Sequence, residues 1–213
     1  MEKSCGAFFF SWPEAFQTGV EIVGGKGWNL GRLERYGFKI PMGGVLSAEA
    51  YQGFIDENDL REAIEVITQK VTIDNVGERE TEEKLFLIRE KIKVGRISPY
   101  IQEEMTSSLK NIGILEKPVA VRSSATAEDA AGASFAGIHE SFLNVRGMDN
   151  ILSAIKGCYA SLWSVRAVAY RRKMDIKDKE VIPAVVVMEM AEAKAAGVAF
   201  TAIPGPAGKM PCL

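Results

Sequence analysis

Val119-Ala120-Val121-Arg122-Ser123-Ser124-Ala125-Thr126-Ala127-Glu128-Asp129-Ala130-Ala131-Gly132-Ala133-Ser134-Phe135-Ala136-Gly137 is the stretch on which the fold turns. It opens after Pro118 as a short β-branched run ending on Arg122, then becomes a series of small and polar side chains. Branched residues favour a pleated strand and small polar ones a loop. The stretch therefore reads as a strand that delivers its last residue, Arg122, into a loop. A guanidinium anchored there suits bidentate contact with phosphate oxygens. An ion pair with Glu128 or Asp129 fits equally, and both hold if a carboxylate orients the arginine in the empty site. The small residues of 130–137 let backbone N–H groups approach an anion closely and can close over a polyphosphate. A flexible surface connection would have the same composition. Phe135, the one bulky member, is expected to pack the loop against the body.

Upstream, residues 20–41 carry a second glycine-rich turn. A short apolar Ile22-Val23 runs into Gly24-Gly25-Lys26-Gly27 and then into helix-like 28–36, closed by Gly37. That order predicts strand or loop, glycine turn, helix and C-cap. The spacing is not a Walker A loop, because Lys26 is followed by Gly27 with no hydroxyl for magnesium. Nor is it a dinucleotide fingerprint, because Gly25, Gly27 and Gly31 give GxGxxxG. The turn either binds phosphate through Lys26 or simply feeds a helix.

From residue 47 to 116 the pattern is mainly helical. Ser47 is placed to cap a helix with Tyr51, Phe54 and Ile55 on one face; Leu85, Ile88 and Ile92 recur at helical spacing. Ser98-Pro99 opens a further segment striped by Ile101, Met105, Leu109 and Ile112. These residues read as a packed helical lobe with no chemistry. Beyond the small-residue loop, 140–145 alternates as a strand. Asp149 is expected to cap a helix with Ile151, Ile155, Cys158 and Leu162 facing inward, and a second helix is expected over 164–174. Strands over 182–190 and 197–201, joined by a turn at 191–196, predict a hairpin. Helices and strands mix as α+β with a mixed or antiparallel sheet, without a strict βαβ repeat.

A chain of 213 residues, 47% hydrophobic and 25% charged, can bury a sizeable core. Its formal net charge of -2 supplies no field to concentrate a polyanion, which argues against nucleic acid as a partner. Cys5, Cys158 and Cys212 are odd in number and widely spaced, giving neither a disulfide framework nor a metal knuckle and suiting a reducing, cytoplasmic setting. The apolar runs are too short or too interrupted to predict a signal peptide or a membrane span. His139, the single histidine, has no local His or Cys cluster and reads as a surface residue at a strand edge.

Val23-Gly24-Gly25-Lys26-Gly27-Trp28-Asn29-Leu30-Gly31 and Phe38-Lys39-Ile40-Pro41 resemble the opening of the phosphoenolpyruvate synthase family. The run from Val121 to Asp129 and Ala133-Ser134-Phe135-Ala136-Gly137 strengthen the likeness, which spans about residues 12–201. The same ATP-grasp-type nucleotide domain occurs in pyruvate phosphate dikinase and rifampin phosphotransferase. The resemblance implies that Lys26 and Arg122 contact the ATP phosphates and carry the catalytic role. It implies that Ser134, Ala136 and Gly137 form the loop above them, and that Ser141 stands where relatives have a nucleotide-contacting threonine. Met188 occupies the place of a glutamine near the base in relatives, so a polar base contact is lost. In such families ATP phosphorylates a histidine on a separate swivelling domain, and that phosphohistidine serves the acceptor; His139 does not match that histidine's motif.

After Phe200-Thr201-Ala202 the family's usual Asp-Pro continuation is replaced by Ile203-Pro204 and the sequence ends at Leu213. The expectation is a first lobe over 1–213, from an interrupted or frameshifted gene or a deliberately shortened chain. The second lobe with its Mg2+ ligands, the phosphohistidine domain and the pyruvate/phosphoenolpyruvate barrel would lie elsewhere. Besides the ATP-binding part of a phosphoenolpyruvate-synthase-like enzyme, two readings stay open: an inactive nucleotide-binding module and the ATP-binding part of a rifamycin phosphotransferase. A lobe without its partner lobe is also expected to self-associate through the exposed face.

Overall fold

The last strand among the described residues lies at the centre of the sheet. In the computed structural model, which describes residues 7–125 and 140–197, five strands form one sheet ordered β1-β2-β5-β3-β4, all neighbours antiparallel. They are β1 (Phe9–Ser11), β2 (Gly43–Leu46), β3 (Val119–Ala125), β4 (Ser141–Val145) and β5 (Pro183–Glu189). Central placement explains the unbroken Val185-Val186-Val187, because a strand covered on both faces has no polar side to alternate with.

The helices are α1 (Trp12–Thr18), α2 (Val20–Arg35), α3 (Ala48–Glu57), α4 (Arg61–Thr68), α5 (Arg79–Val94), α6 (Pro99–Asn111), α7 (Met148–Ser161) and α8 (Val165–Lys173). Strand alternation sends Leu46, Val119, Val121, Val185 and Val187 into the larger core, built with Phe54, Leu85, Ile92, Met105, Leu109 and Ile155. The opposite face, carrying Val45, Ala184 and Val186, packs under Trp12, Ala15 and Val23 of α1 and α2. Each core thus takes one set of alternate residues from the same strands. No helix among the described residues is long and apolar enough to cross a membrane.

The α+β expectation holds, and residues 47–116 contain α3 to α6. Ser47 caps α3, its Oγ accepting from the Ala50 N–H at 3.4 Å. Two local expectations fail. Ile22 and Val23 lie in the first turn of α2 and not in a strand, since two branched residues cannot hold a strand where Val23 is wanted under the sheet. The cap of α7 is Gly147, with φ of 75°, and Asp149 instead falls in the first turn, where its charge suits the helix dipole. In addition, β1 and α1 form over residues 9–18, where the sequence predicts no element; Glu14 accepts the Ser11 N–H at 2.8 Å to close the start of α1. The second strand of the expected hairpin lies almost wholly outside the described residues.

Candidate functional site

Gly24 breaks α2. Its φ of 69° and ψ of 168° are non-helical, so α2 consists of one turn before the glycine and a second helical stretch after it. A Cβ on Gly24 would collide with the Ser124 carbonyl oxygen, and one on Gly27 would meet Val45 Cγ2 at 2.7 Å. The glycines therefore let the second half of α2 lie directly on the sheet. An unbroken helix would join the Gly27 N–H to the Val23 carbonyl, its fourth residue back. Here the Ser124 hydroxyl stands between them, accepting from Gly27 at 3.1 Å and donating to Val23 at 3.0 Å. Lys26, partly buried, sits in the first turn after the break, where helix N–H groups point outward and the dipole favours an anion.

Arg122 is the fourth residue of β3, paired with Ser141 of β4 on one side and Val186 of β5 on the other. Ala120, Arg122 and Ser124 share the face against which α2 packs, and cross-strand neighbours share a face too. Ser141, exposed, and Met188, partly buried and opposite Ala120, therefore belong to that same face. Arg122 is not its strand's last residue, as the sequence had suggested; β3 continues through Ala125. Beyond Ser141, β4 bulges: Phe142 faces Val121 whereas Val145 faces Val119, with Asn144 at a φ of 58° in the extra step.

The sheet thus brings Arg122, Ser141 and Met188 together on one surface, and the break in α2 sets Lys26 beside it. Ser134, Ala136 and Gly137 lie outside the described residues, as do Phe135, His139 and the anticipated partners Glu128 and Asp129. Among the described residues no carboxylate pairs with Arg122. Lys117 and Glu189 form an ion pair of 2.7 Å at the far end of the β3 and β5 pairing.

Beneath this surface lies Cys158, fully buried on α7, its Sγ 3.9 Å from the carbonyl oxygens of Val121 and Glu140. Burial pushes its thiol up to about 12; the Glu140 carboxylate adds to the rise and the Lys26 charge opposes it. The thiol stays protonated and shielded near neutral pH. We expect peptide-resolved mass spectrometry to find Cys158 unalkylated by iodoacetamide in the folded chain, even at mildly alkaline pH, and fully alkylated in denaturant. Alkylation as fast as in denaturant would contradict its burial.

Sequence reading missed Ser124. The signal available was its distance of two residues from Arg122 along a strand, which puts both on one face.

A model of the family described as pyruvate phosphate dikinase, AMP/ATP-binding domain, matches residues 20–209. The phosphoenolpyruvate synthase of Aeropyrum pernix is 37% identical over 189 residues, covering 87% of this chain and 23% of that protein. That of Aquifex aeolicus is 39% identical over 192 residues, covering 85% of this chain and 22% of its own length. A probable phosphoenolpyruvate synthase of Methanothermobacter thermautotrophicus is 37% identical over 200 residues, 93% of this chain and 29% of that protein. The chain spans about a quarter of the length of these curated relatives.

Proposed function

The chain belongs to the pyruvate phosphate dikinase AMP/ATP-binding domain family, and from that premise we propose that it is the nucleotide-holding part of a phosphoenolpyruvate-synthase-like phosphotransferase. The observation that carries the reading is the common face of Arg122, Ser141 and Met188 with Lys26 beside it. In this reading Lys26 and Arg122 neutralise phosphate oxygens of ATP, Ser141 contacts the nucleotide and Met188 lines the base side with an apolar surface. Ser134, Ala136 and Gly137 supply backbone N–H groups to the phosphates. ATP supplies the transferable phosphoryl group; the chain's own residues hold and orient it, and electrostatic positioning is the main service a protein gives to this chemistry.

The accepting histidine and the site for pyruvate belong, in the proposal, to other domains, as the relatives' names and greater length suggest. Mg2+ would accompany the triphosphate. Among the described residues no group of three or more His, Cys, Asp or Glu converges to hold a metal, so no step is assigned to one bound by them.

Calorimetric titration with ATP tests the reading. A charge-assisted hydrogen bond is worth about 1.5–3 kcal/mol, so Arg122→Ala and Lys26→Ala are each expected to weaken ATP binding by roughly tenfold or more. Binding by the unaltered chain that neither change weakens would remove both from the phosphate site.

A further inference from the structure

We propose that Ser124 is a positioning residue that sets the spacing of the two phosphate-binding cations and so favours a triphosphate over a monophosphate; the inference rests on the nucleotide reading above. Ser124 is wholly buried. Its hydroxyl fills a rung that α2 leaves open at the break, between the Gly27 N–H and the Val23 carbonyl, which lie 97 and 101 residues away in sequence. A helix needs no outside hydroxyl to make that bond, and an inserted polar group is a recognised cause of a kink. The insertion joins two backbones. On one side is the turn that bears Lys26, directly before Gly27; on the other is the strand that bears Arg122, on the same face and two residues before Ser124.

The contrast with Ser123 supports the assignment. Ser123 is also buried but points to the opposite face, and its Oγ has no hydrogen-bond partner among the described residues. Only the serine on the face of Arg122 is tied into α2. The Gly24 backbone approaches the Ser124 carbonyl so closely that no side chain fits between them, leaving the join little play. A chain of phosphates must meet both cations at a fixed separation, whereas a single phosphate needs only one. Loosening the join should therefore tax ATP and spare AMP.

The experiment is calorimetry with ATP and with AMP on the unaltered chain, Arg122→Ala, Ser124→Ala, Lys26→Ala and the Ser124→Ala/Lys26→Ala pair. Ser124→Ala is expected to weaken ATP binding about tenfold and AMP binding less than about threefold. In the Lys26→Ala background the same change should add little, because the positioned cation is already gone. Equal losses for ATP and AMP, an unchanged ratio, or full additivity with Lys26→Ala would overturn the proposal. If Arg122→Ala binds ATP as tightly as the unaltered chain, the nucleotide reading falls and this inference with it. If Arg122→Ala weakens ATP while Ser124→Ala leaves the ratio intact, only this inference falls. Should Ser124→Ala fail to fold, hydrogen exchange at the Gly27 amide of the unaltered chain decides. Protection raised by ATP and not by AMP supports the inference; protection raised equally by both, or by neither, overturns it.

Discussion

Asp178→Ala is expected to lose about 3–5 kcal/mol of stability, the range for stripping one partner from a buried ion pair. Arg171 is completely buried; its Nε donates to Asp178 Oδ1 at 2.7 Å, its Nη1 to the Leu162 carbonyl at 2.8 Å, and its guanidinium lies 5.2 Å from the Trp163 ring centre. Arg172 binds the other carboxylate oxygen at 2.6 Å and donates to the carbonyls of Thr68, the last residue of α4, and of Val71 just beyond it. One carboxylate therefore holds both guanidinium groups and, through Arg172, fastens α8 to the helical lobe. Without it Arg171 keeps a charge in the core with nothing to balance it. Against a total stability of about 5–15 kcal/mol, the loss is a large fraction. Denaturant titration reads it directly; a loss below about 0.5 kcal/mol would sink the argument.

The same carboxylate has a pH signature. Burial pushes its pKa up, but the Arg172 hydrogen bonds and the Arg171 charge outweigh burial and hold it below the ordinary value. The folded pKa is depressed, so this stabilisation is complete above the unfolded value of about 4 and fades as pH falls through the folded one. The stability gap between the unaltered chain and Asp178→Asn should accordingly be constant near neutrality and shrink in acid.

Gly24→Ala is the second large effect, and it should strike fold and binding together. The backbone there has φ of 69° with ψ of 168°, a region that is essentially glycine's own, and the added methyl group would overlap the Ser124 carbonyl oxygen. Relief requires moving α2 off the sheet, which breaks the Ser124 hydroxyl's bonds to Val23 and Gly27. We expect a loss of more than about 3 kcal/mol, the conformational and steric penalties combined, and no measurable ATP binding. Gly37→Ala is the control: its φ is 81°, but no atom lies within 4 Å of the added carbon. It should cost only about 1–2 kcal/mol of left-handed strain and leave ATP binding intact. Equal costs at the two glycines would show that the close contact at Gly24 has no energetic weight.

Much of the architecture was legible because local chemistry and tertiary need agreed. Ser47, Ser98-Pro99 and the Leu85, Ile88, Ile92 stripe mark helices by capping and periodicity, and those signals survive in any context. The start of α1 was legible too, as serine followed three residues later by glutamate, but the neighbouring apolar run drew attention only as a failed membrane signal. Ile22-Val23 misled because branching favours strands while the sheet required a buried helical turn at Val23. The order of the sheet was not legible, since nothing in residues 183–189 states which strands they separate. Arg122 and Ser141 could each be named from sequence; that they face one another depends on strand register, which no local residue pattern states. Ser124 looked like any member of a small-residue series until its partners were seen.

The central place of β5 has a consequence for biosynthesis. β1 can meet β2, and β3 can meet β4, as soon as each pair has been made, but the two halves share no edge until residues 183–189 join both. At about 5–20 residues per second, a ribosome takes about 7–30 s to go from β2 to the end of β5. During that interval the open edges of β2 and β3 are exposed to other nascent chains. Such high contact order slows folding, and it makes this interval the one in which a chaperone has most to do.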